Sequence, residues 1–248
     1  MRQFGLIGKS LQHSFSPKYF NEKFITGNIS KCRYDLFPLN NIEELPAFIN
    51  SMPELEGFNV TIPYKKSILP YLDQIDDVAL EVGAVNTVKI FRSSSGVILE
   101  GFNTDVFGFE FSTDDLRNYS GALILGSGGG ADAVVYVLTK LGVPFFIVSG
   151  NPSGGTKIGY DDLTMDLIKN YPIIVNTTPV GMFPDVDNAP DIPYNYLTSR
   201  NFLYDLIYNP SETLFLKKGR LAGAKIMNGL KMLQMQADKS WEVWNSSD

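Results

Sequence analysis

Residues 122–142 read ALILGSGGGADAVVYVLTKLG, and this stretch decides the fold of the second half of the chain. Its four apolar residues predict a buried strand, and the residues after the glycines predict a helix that ends at Gly142. Between them, Gly126, Gly128 and Ala131 fit the pattern G-x-G-x-x-A. In this position the glycines let a pyrophosphate approach the backbone and rest on the helix N-terminus. The sequence therefore predicts a dinucleotide site, and it is not a P-loop because no Gly-Lys-Ser/Thr follows.

The end of the next strand is expected to indicate which dinucleotide binds. Residues 144–148, PFFIV, predict that strand, and Ser149, Gly150 and Asn151 follow it. An acidic residue there binds the ribose of NAD, whereas a nearby arginine accommodates the 2′-phosphate of NADP. The segment has neither, and the absence of an acid favours NADP slightly. Lys157, further along the loop, either reaches a phosphate or is a solvated loop charge.

Strands and helices alternate on both sides of this stretch, which predicts an α/β protein with a parallel or mixed sheet. Further strands are predicted at residues 4–7, 33–39, 58–62, 85–91, 97–102, 173–182 and 202–210. Further helices are predicted at residues 16–26, 42–52, 104–116, 162–170, 213–219 and 229–244. Ser16 is the expected N-cap of the first helix, with proline after it. RSSSG at 92–96 predicts a hairpin turn.

The composition excludes several classes of protein. The chain of 248 residues has a formal net charge of −6, which argues against a nucleic-acid surface because such a surface needs basic clusters. Cys32 is its one cysteine, so no internal disulfide forms and a reducing cytosol is expected. No stretch approaches the roughly 20 apolar residues of a membrane span, and the N-terminus lacks a signal peptide. We expect a soluble cytoplasmic protein without nucleic-acid or membrane partners.

Four polar clusters stand in or beside the predicted strands of the first half. They are HSFSP (13–17), GFNVTIPYK (57–65), GAVNT (83–87) and GFNTD (101–105). Singly, each is weak, because Asn and Asp after strands are usually turn formers. Together, upstream of a dinucleotide turn, their hydroxyls, amides, ammonium and carboxylate suit a small polyhydroxylated acid. No Cys/His or carboxylate grouping indicates a metal.

Lys65 is the candidate proton-moving residue, because the chain has one histidine. That histidine, His13, is expected to stabilise its loop. In carbonyl reduction, a protonated lysine stabilises the developing oxyanion and then gives up its proton, which a free lysine side chain can do at neutral pH. Oxidation instead needs a neutral lysine, and an Asp105 carboxylate beside it favours the charged form. We therefore expect Asp105 mainly to position Lys65, and oxidation to improve at alkaline pH.

Seven segments, in order, closely resemble the shikimate dehydrogenase family over nearly the whole chain. They are GKSLQHSFSP, GFNVTIPYK, GAVNT, GFNTDVFG, GSGGGA, NTTPVGM and NGLKMLQMQA. That family reduces 3-dehydroshikimate to shikimate with NADPH, in the route to aromatic amino acids. The resemblance implies the same reaction, a small-molecule substrate (shikimate or 3-dehydroshikimate), NADP with NAD possible, no metal, and a monomer or homodimer.

The resemblance also implies roles for individual residues. Lys65 and Asp105 match the family's catalytic pair. Ser14 and Ser16 match its carboxylate-binding hydroxyls. The remaining positions implied to bind substrate or line its pocket are Asn59, Thr61, Asn86, Tyr208 and Gln236. The positions implied to bind the cofactor are Gly126, Gly128, Gly129, Gly130, Ala131, Ser149, Asn151, Thr178 and Gly229.

The implied architecture has two domains with a cleft between them. An N-terminal α/β substrate-binding domain would comprise residues 1–105 plus about 223–248, and a Rossmann-like NADP-binding domain about 106–222. The chain departs from the family pattern at Ser10 and Phe20, and more seriously at Gly150, where the usual arginine is missing. Two alternatives therefore stay open: a quinate/shikimate dehydrogenase that uses NAD, and a non-catalytic metabolite-binding protein.

Overall fold

The computed structural model describes residues 1–12, 14–94, 96–113 and 116–246. The chain divides into two compact units, Met1–Phe107 with Gln236–Asp248, and Gly108–Met235. Three expected features fall wholly or partly outside the described residues: the loop role of His13, the hairpin turn at Ser95, and the predicted helix end at 114–115.

The first unit contains a mixed sheet. Its strands are β1 (Arg2–Gly8), β2 (Cys32–Pro38), β3 (Leu55–Val60), β4 (Gln74–Ile75), β5 (Thr87–Ser93) and β6 (Gly96–Phe102). Within the described ranges the strand order is β2-β1-β3-β5-β6-β4. β1 pairs with β2 and β3 in parallel, β5 runs antiparallel to β3 and β6, and β4 is parallel to β6. β1 and β3 are buried along most of their length, as expected for strands that are covered on both faces.

Helices cover this sheet. They are α1 (Ser16–Thr26), α2 (Leu45–Ser51), α3 (Tyr64–Ser67), α4 (Asp77–Val82) and the first part of α5 (Thr104–Ser112). The prediction that Ser16 caps α1 was wrong, because Phe15 is the N-cap and Ser16 is the first helical residue. The short elements α3, α4 and β4 were not predicted, because they are too brief to show a period. The helix predicted at 104–116 ends at Ser112.

The second unit contains a sheet in which every described strand pair is parallel. Its strands are β7 (Ala122–Leu125), β8 (Phe145–Val148), β9 (Lys157–Ile158), β10 (Ile173–Asn176), β11 (Phe202–Asp205) and β12 (Lys225–Met227). The order is β12-β11-β10-β7-β8-β9. Numbered within the unit and read from the other edge, this is the 3-2-1-4-5-6 order of the Rossmann fold. The order reverses between β7 and β10, which is where such sheets bind ligands.

The helices of the second unit are α6 (Gly129–Leu141), α7 (Met165–Asn170), α8 (Leu214–Leu221) and the start of α9 (Leu230–Asn245). Gly142 ends α6 in the left-handed conformation, φ 68°, as the sequence predicted. The unit continues to Met235, further than the expected boundary near residue 222, because β12 pairs with β11 in the second sheet. No helix among the described residues combines the length and the apolar character that crossing a membrane requires.

The end of α9 belongs to the first unit and packs against the sheet through Trp244. Its ring stacks on Phe4 with centroids 4.7 Å apart, and its Nε1 donates to the carbonyl of Val88 at 3.0 Å. A Cβ on Gly57 would collide with the indole, so this glycine gives the ring its space. This packing fixes the face of α9 that carries Gln236 and Ser240 relative to the sheet.

Candidate active site

Lys65 and Asp105 form an ion pair in the first unit. Lys65 lies on α3, just after β3, and Asp105 lies in the first turn of α5, just after β6. The Lys65 Nζ atom is 2.6 Å from Asp105 Oδ2, and the two side chains are 18% and 9% exposed. The backbone fixes this geometry, since Val85 N donates to the Lys65 carbonyl at 2.8 Å. The structure thus brings the two predicted catalytic residues together.

Asn59 is held on every side by the protein. Its Oδ1 accepts from the Tyr34 hydroxyl at 2.8 Å, and its Nδ2 donates to the Asn86 carbonyl, Thr87 Oγ1 and Ser240 Oγ. The residue is 5% exposed. Because the polar atoms of its amide are engaged internally, Asn59 organises its neighbours rather than presenting an amide outward.

Asn86 and Gln236 are held by one shared threonine. The Asn86 Oδ1 accepts from Thr104 N at 2.7 Å, which identifies it as the oxygen, and Asn86 Nδ2 donates to Thr104 Oγ1 at 3.0 Å. The same Nδ2 lies 3.3 Å from Gln236 Oε1. The structure therefore places two predicted substrate contacts, one directly before β5 and one on α9, side by side.

Ser14 and Thr61 lie in the loops after β1 and β3, and Ser16 is the first residue of α1; all three are partly buried. The Ser14 hydroxyl accepts from Ser16 N at 3.3 Å, and Thr61 N donates to the Ile7 carbonyl at 2.9 Å. Burial raises the pKa of Tyr34 well above its usual value, and a hydrogen bond from the Ser16 side chain opposes that rise. Ser16 is therefore tied through Tyr34 to Asn59.

The glycine turn of the second unit has the geometry that the dinucleotide pattern requires. Gly126 has φ 102°, and a Cβ there would lie 2.9 Å from Thr177 Oγ1 and 2.8 Å from Thr178 Cγ2, so only glycine fits. Gly128 is the N-cap of α6 and is exposed, and a Cβ there would meet nothing within 4 Å. Gly129, Gly130 and Ala131 form the first turn of α6. Ala131 N donates to the Gly128 carbonyl at 2.8 Å, and the N–H groups of Gly129 and Gly130 precede this first bond of the helix.

Thr178 sits opposite this turn, after β10. Its N and Oγ1 both donate to Asn176 Oδ1, at 3.1 and 2.7 Å. Asn176 Nδ2 in turn donates to Asp205 Oδ1 at 3.0 Å, and Thr213 Oγ1 donates to Asp205 Oδ2. Burial raises the pKa of Asp205 to about 6, although these donors and Ile207 N oppose the rise. Asp205 thus anchors the loop that faces the glycine turn.

The segment after β8 is open. Ser149 N donates to the Ile158 carbonyl at 2.9 Å, and Ser149 Oγ accepts from Asn151 N at 3.2 Å. A Cβ on Gly150 would meet nothing within 4 Å. Lys157 lies on the neighbouring edge strand β9 and is exposed. The site has room for a phosphate and side chains able to bind it.

Gly229 and Tyr208 complete the predicted set. A Cβ on Gly229 would overlap the Leu206 carbonyl oxygen, so this position requires glycine for packing. Tyr208 follows β11 and is partly buried, in a different unit from the other predicted substrate contacts. Among the described residues, no group of three or more His, Cys, Asp and Glu side chains is placed to hold a metal ion.

Four residues that hold Asn59, Asn86 and Gln236 in place in the first unit were not predicted from the sequence: Tyr34, Thr87, Thr104 and Ser240. The two threonines stand inside the motifs GAVNT and GFNTD, so the signal for them was present. Ser240 lies four residues after Gln236, on one face of α9. A serine one turn away from a candidate contact, on the buried face of a helix, indicates a polar contact in the core. Tyr34 carried none, because an aromatic residue in a strand is core by default.

A Rossmann sheet with a glycine turn at its switch point, joined to a unit with a buried lysine–carboxylate pair, defines a dinucleotide-dependent oxidoreductase of the α/β class. Over 97% of its length, the chain is 39% identical to the shikimate dehydrogenase (NADP(+)) of Methanococcus vannielii and covers 90% of that protein. The chain belongs to the shikimate dehydrogenase family.

The family model and solved structures agree with this assignment. Residues 6–88 match the model of the shikimate dehydrogenase substrate binding domain. The chorismate mutase/shikimate 5-dehydrogenase fusion protein from Clostridium acetobutylicum superimposes with a TM-score of 0.86 at 36% identity, over 99% of this chain and 91% of that one. Shikimate 5-dehydrogenase from Thermus thermophilus, in complex with NADP(H) and shikimate, gives 0.84 at 27% identity, over 99% and 94%. The expected fold class of two α/β domains, one of them Rossmann-like, is confirmed.

Proposed function

We propose that this protein catalyses the reversible NADPH-dependent reduction of 3-dehydroshikimate to shikimate, a step towards aromatic amino acids. The observation that carries the proposal is the ion pair of Lys65 and Asp105, 2.6 Å apart and mostly buried. It lies in the unit that carries the match to the substrate-binding-domain model. Curated relatives of the chain are named shikimate dehydrogenase (NADP(+)), which supports the same reaction and the same cofactor.

The residues at the glycine turn fit a dinucleotide. The space next to the Cα of Gly128 is open, and the N-terminus of the 13-residue helix α6 offers backbone N–H groups to a pyrophosphate. In this proposal Gly126, Gly128, Gly129, Gly130 and Ala131 form the pyrophosphate turn. The flanking positions proposed to contact the cofactor are Ser149, Asn151, Thr178 and Gly229. When bound, NADPH would supply the hydride.

Lys65 handles the proton. In reduction, negative charge develops on the carbonyl oxygen of the substrate, and a cation beside it stabilises the transition state. As the hydride adds to the carbonyl carbon, the Lys65 ammonium donates one proton to the oxygen, which yields the alcohol. Asp105 holds the ammonium in place through its 2.6 Å contact. Oxidation reverses these steps, with a neutral Lys65 accepting the proton of the substrate hydroxyl.

The hydroxyl and amide groups around this pair are proposed to hold the substrate. Ser14 and Ser16 would bind its carboxylate, with Tyr208 as a third contact. Thr61, Asn86 and Gln236 would bind the ring hydroxyls or line the pocket. Asn59 is proposed to orient Asn86, whose carbonyl accepts from Asn59 Nδ2 at 3.2 Å, instead of contacting the substrate.

The two units are proposed to have separate roles. The first, Met1–Phe107 with Gln236–Asp248, would bind the substrate, and the second, Gly108–Met235, would bind NADP. The net charge of −6 and the single cysteine support a cytoplasmic enzyme without nucleic-acid or membrane partners. A monomer or a homodimer is proposed.

The two alternatives are not favoured. A dehydrogenase that uses NAD and also accepts quinate would be consistent with Gly150, but the Methanococcus vannielii relative carries NADP(+) in its name. A non-catalytic binding protein has no need of a lysine–carboxylate pair, and here the pair is intact.

The test is a spectrophotometric assay of nicotinamide reduction. It is run with shikimate and NADP, with shikimate and NAD, and with quinate in place of shikimate. We expect turnover of shikimate with NADP in preference to NAD, and its loss in Lys65→Ala. Equal or better rates with NAD, or with quinate, would favour the first alternative. Shikimate binding measured by calorimetry, without turnover with either cofactor, would favour the second.

A further inference from the structure

Ser240 lies at the centre of the buried polar cluster of the first unit. It is fully buried, and its Oγ lies 2.9 Å from Asn59 Nδ2, 2.8 Å from Thr87 Oγ1 and 3.1 Å from Thr104 Oγ1. It also donates to the carbonyl of Gln236, one turn earlier in α9, at 2.9 Å. One hydroxyl therefore connects the last helix to three segments that are far away in sequence.

The hydrogen-bond donors and acceptors in this cluster leave Ser240 few choices. A serine hydroxyl has one proton and two lone pairs. With the proton committed to the Gln236 carbonyl, Ser240 Oγ accepts from Asn59 Nδ2 and from one of the two threonine hydroxyls, Thr87 or Thr104. Asn59 is fixed in the matching orientation, because its Oδ1 accepts from the buried Tyr34 hydroxyl. This arrangement satisfies the proton and both lone pairs of Ser240.

That arrangement continues to the residues proposed to contact the substrate. Thr104 Oγ1, 3.1 Å from Ser240, accepts from Asn86 Nδ2 at 3.0 Å and lies 3.5 Å from Gln236 Oε1. Thr87 Oγ1 lies 3.2 Å from Asn86 Oδ1. Ser240 is therefore linked to the side-chain amides of Asn86 and Gln236 through one intervening threonine side chain, and it does not contact the proposed ligand site itself.

We propose that Ser240 is a positioning residue for the reaction. It holds the helix of Gln236 against the segment of Asn86 and Thr87, so that both amides are set before substrate binds. This inference rests on the proposed function. Removing the hydroxyl leaves Asn59 Nδ2 and the two threonines to re-pair, which loosens both amides and weakens substrate binding.

The experiment compares Ser240→Ala with Ser112→Ala. Ser112 is also fully buried, donates to the Phe109 carbonyl within its own helix at 3.0 Å, and pairs with the Tyr204 hydroxyl at 2.7 Å. It belongs to the second unit. Each substitution removes one buried serine hydroxyl, so both variants should lower the melting temperature. Ser240→Ala should also raise the KM for shikimate about tenfold, with the KM for NADP unchanged, whereas Ser112→Ala should leave the KM for shikimate unchanged.

Ser240→Cys separates hydrogen bonding from packing, because the thiol nearly keeps the volume but is a weak donor and acceptor. We expect it to behave like Ser240→Ala, and it also serves if the alanine variant does not fold. A folded Ser240→Ala or Ser240→Cys with the shikimate KM of the wild type would overturn the inference while the proposed function stands. A wild-type protein that turns over no shikimate would overturn both.

Discussion

The Lys65 Nζ atom lies 2.6 Å from Asp105 Oδ2, although the two residues are 40 positions apart in the chain. α3 and α5, which carry them, each begin shortly after a strand of the same sheet ends. Asn103 Nδ2 donates to the Ala84 carbonyl at 2.8 Å and fastens the start of α5 to the segment that also holds the Lys65 carbonyl. The sheet therefore sets this pair in place without a ligand.

Replacing the lysine should remove most of the activity while the fold is kept. We expect Lys65→Ala to lower kcat by about 10²- to 10⁴-fold, the usual contribution of a positioned general acid. KM for shikimate should change far less. The melting temperature should fall, because the substitution leaves the buried Asp105 carboxylate without its partner. Lys66→Ala is the matched control, since Lys66 is the exposed neighbour on the same helix. Equal kcat values for the two variants would remove Lys65 from the mechanism.

Two glycines should respond to alanine in opposite ways. Gly128→Ala places a methyl group in open space at a helix N-cap, so its effect on unfolding free energy should stay within about 1 kcal/mol. The same methyl occupies the space proposed for the pyrophosphate, so the KM for NADP should rise at least about tenfold. Gly229→Ala drives a methyl into the Leu206 carbonyl and should destabilise the protein by about 3 kcal/mol or more. Urea denaturation and cofactor kinetics measure both effects, and an unchanged NADP KM in Gly128→Ala would contradict the site.

Much of the fold follows from local sequence signals. The apolar run 122–125, the glycine turn and Gly142 predicted β7 and α6 because each signal is contained within a few residues. The two-residue strands β4 and β9 have too few residues to show a pattern, and only the neighbouring strand defines them. Pairing with β11 also defines β12, and this strand extends the second unit beyond the expected boundary.

The candidate site was predictable where chemistry and motif coincide. Lys65 and Asp105 stood out as charged residues among apolar strands. Asn59 illustrates the limit, because in the sequence an asparagine within a strand looks the same whether its amide faces a ligand or three buried oxygen atoms of the protein. Its true surroundings depend on Ser240, which is 181 residues away. No local pattern encodes a contact at that distance.

Gly150 should control the choice of cofactor. A Cβ added at this position meets nothing within 4 Å, so a side chain can leave the backbone here without a clash. A guanidinium binds a phosphate through paired hydrogen bonds. We expect Gly150→Arg to raise the ratio of kcat/KM for NADP to that for NAD by about tenfold. Gly150→Gln, with a neutral side chain, is the control and should leave the ratio nearly unchanged. An unchanged ratio in Gly150→Arg would show that residue 150 does not face the 2′-phosphate.

Asp205 should make the stability of the second unit depend on pH. Burial raises its pKa to about 6, so between about pH 4 and pH 6 the folded state binds more protons than the unfolded state. The stabilisation from the protonated form is complete below pH 4 and is lost as pH rises through 6, a change of about 3 kcal/mol.

Asp205→Asn cannot titrate, so the stability of the wild type relative to this variant should fall across that window and stay level above it. Urea denaturation at several pH values measures the difference, with Asp185→Asn, an exposed aspartate of the same unit, as the control for the charge change. A difference that rises with pH across the window would mean that the three donors, and not burial, set the state of this carboxyl.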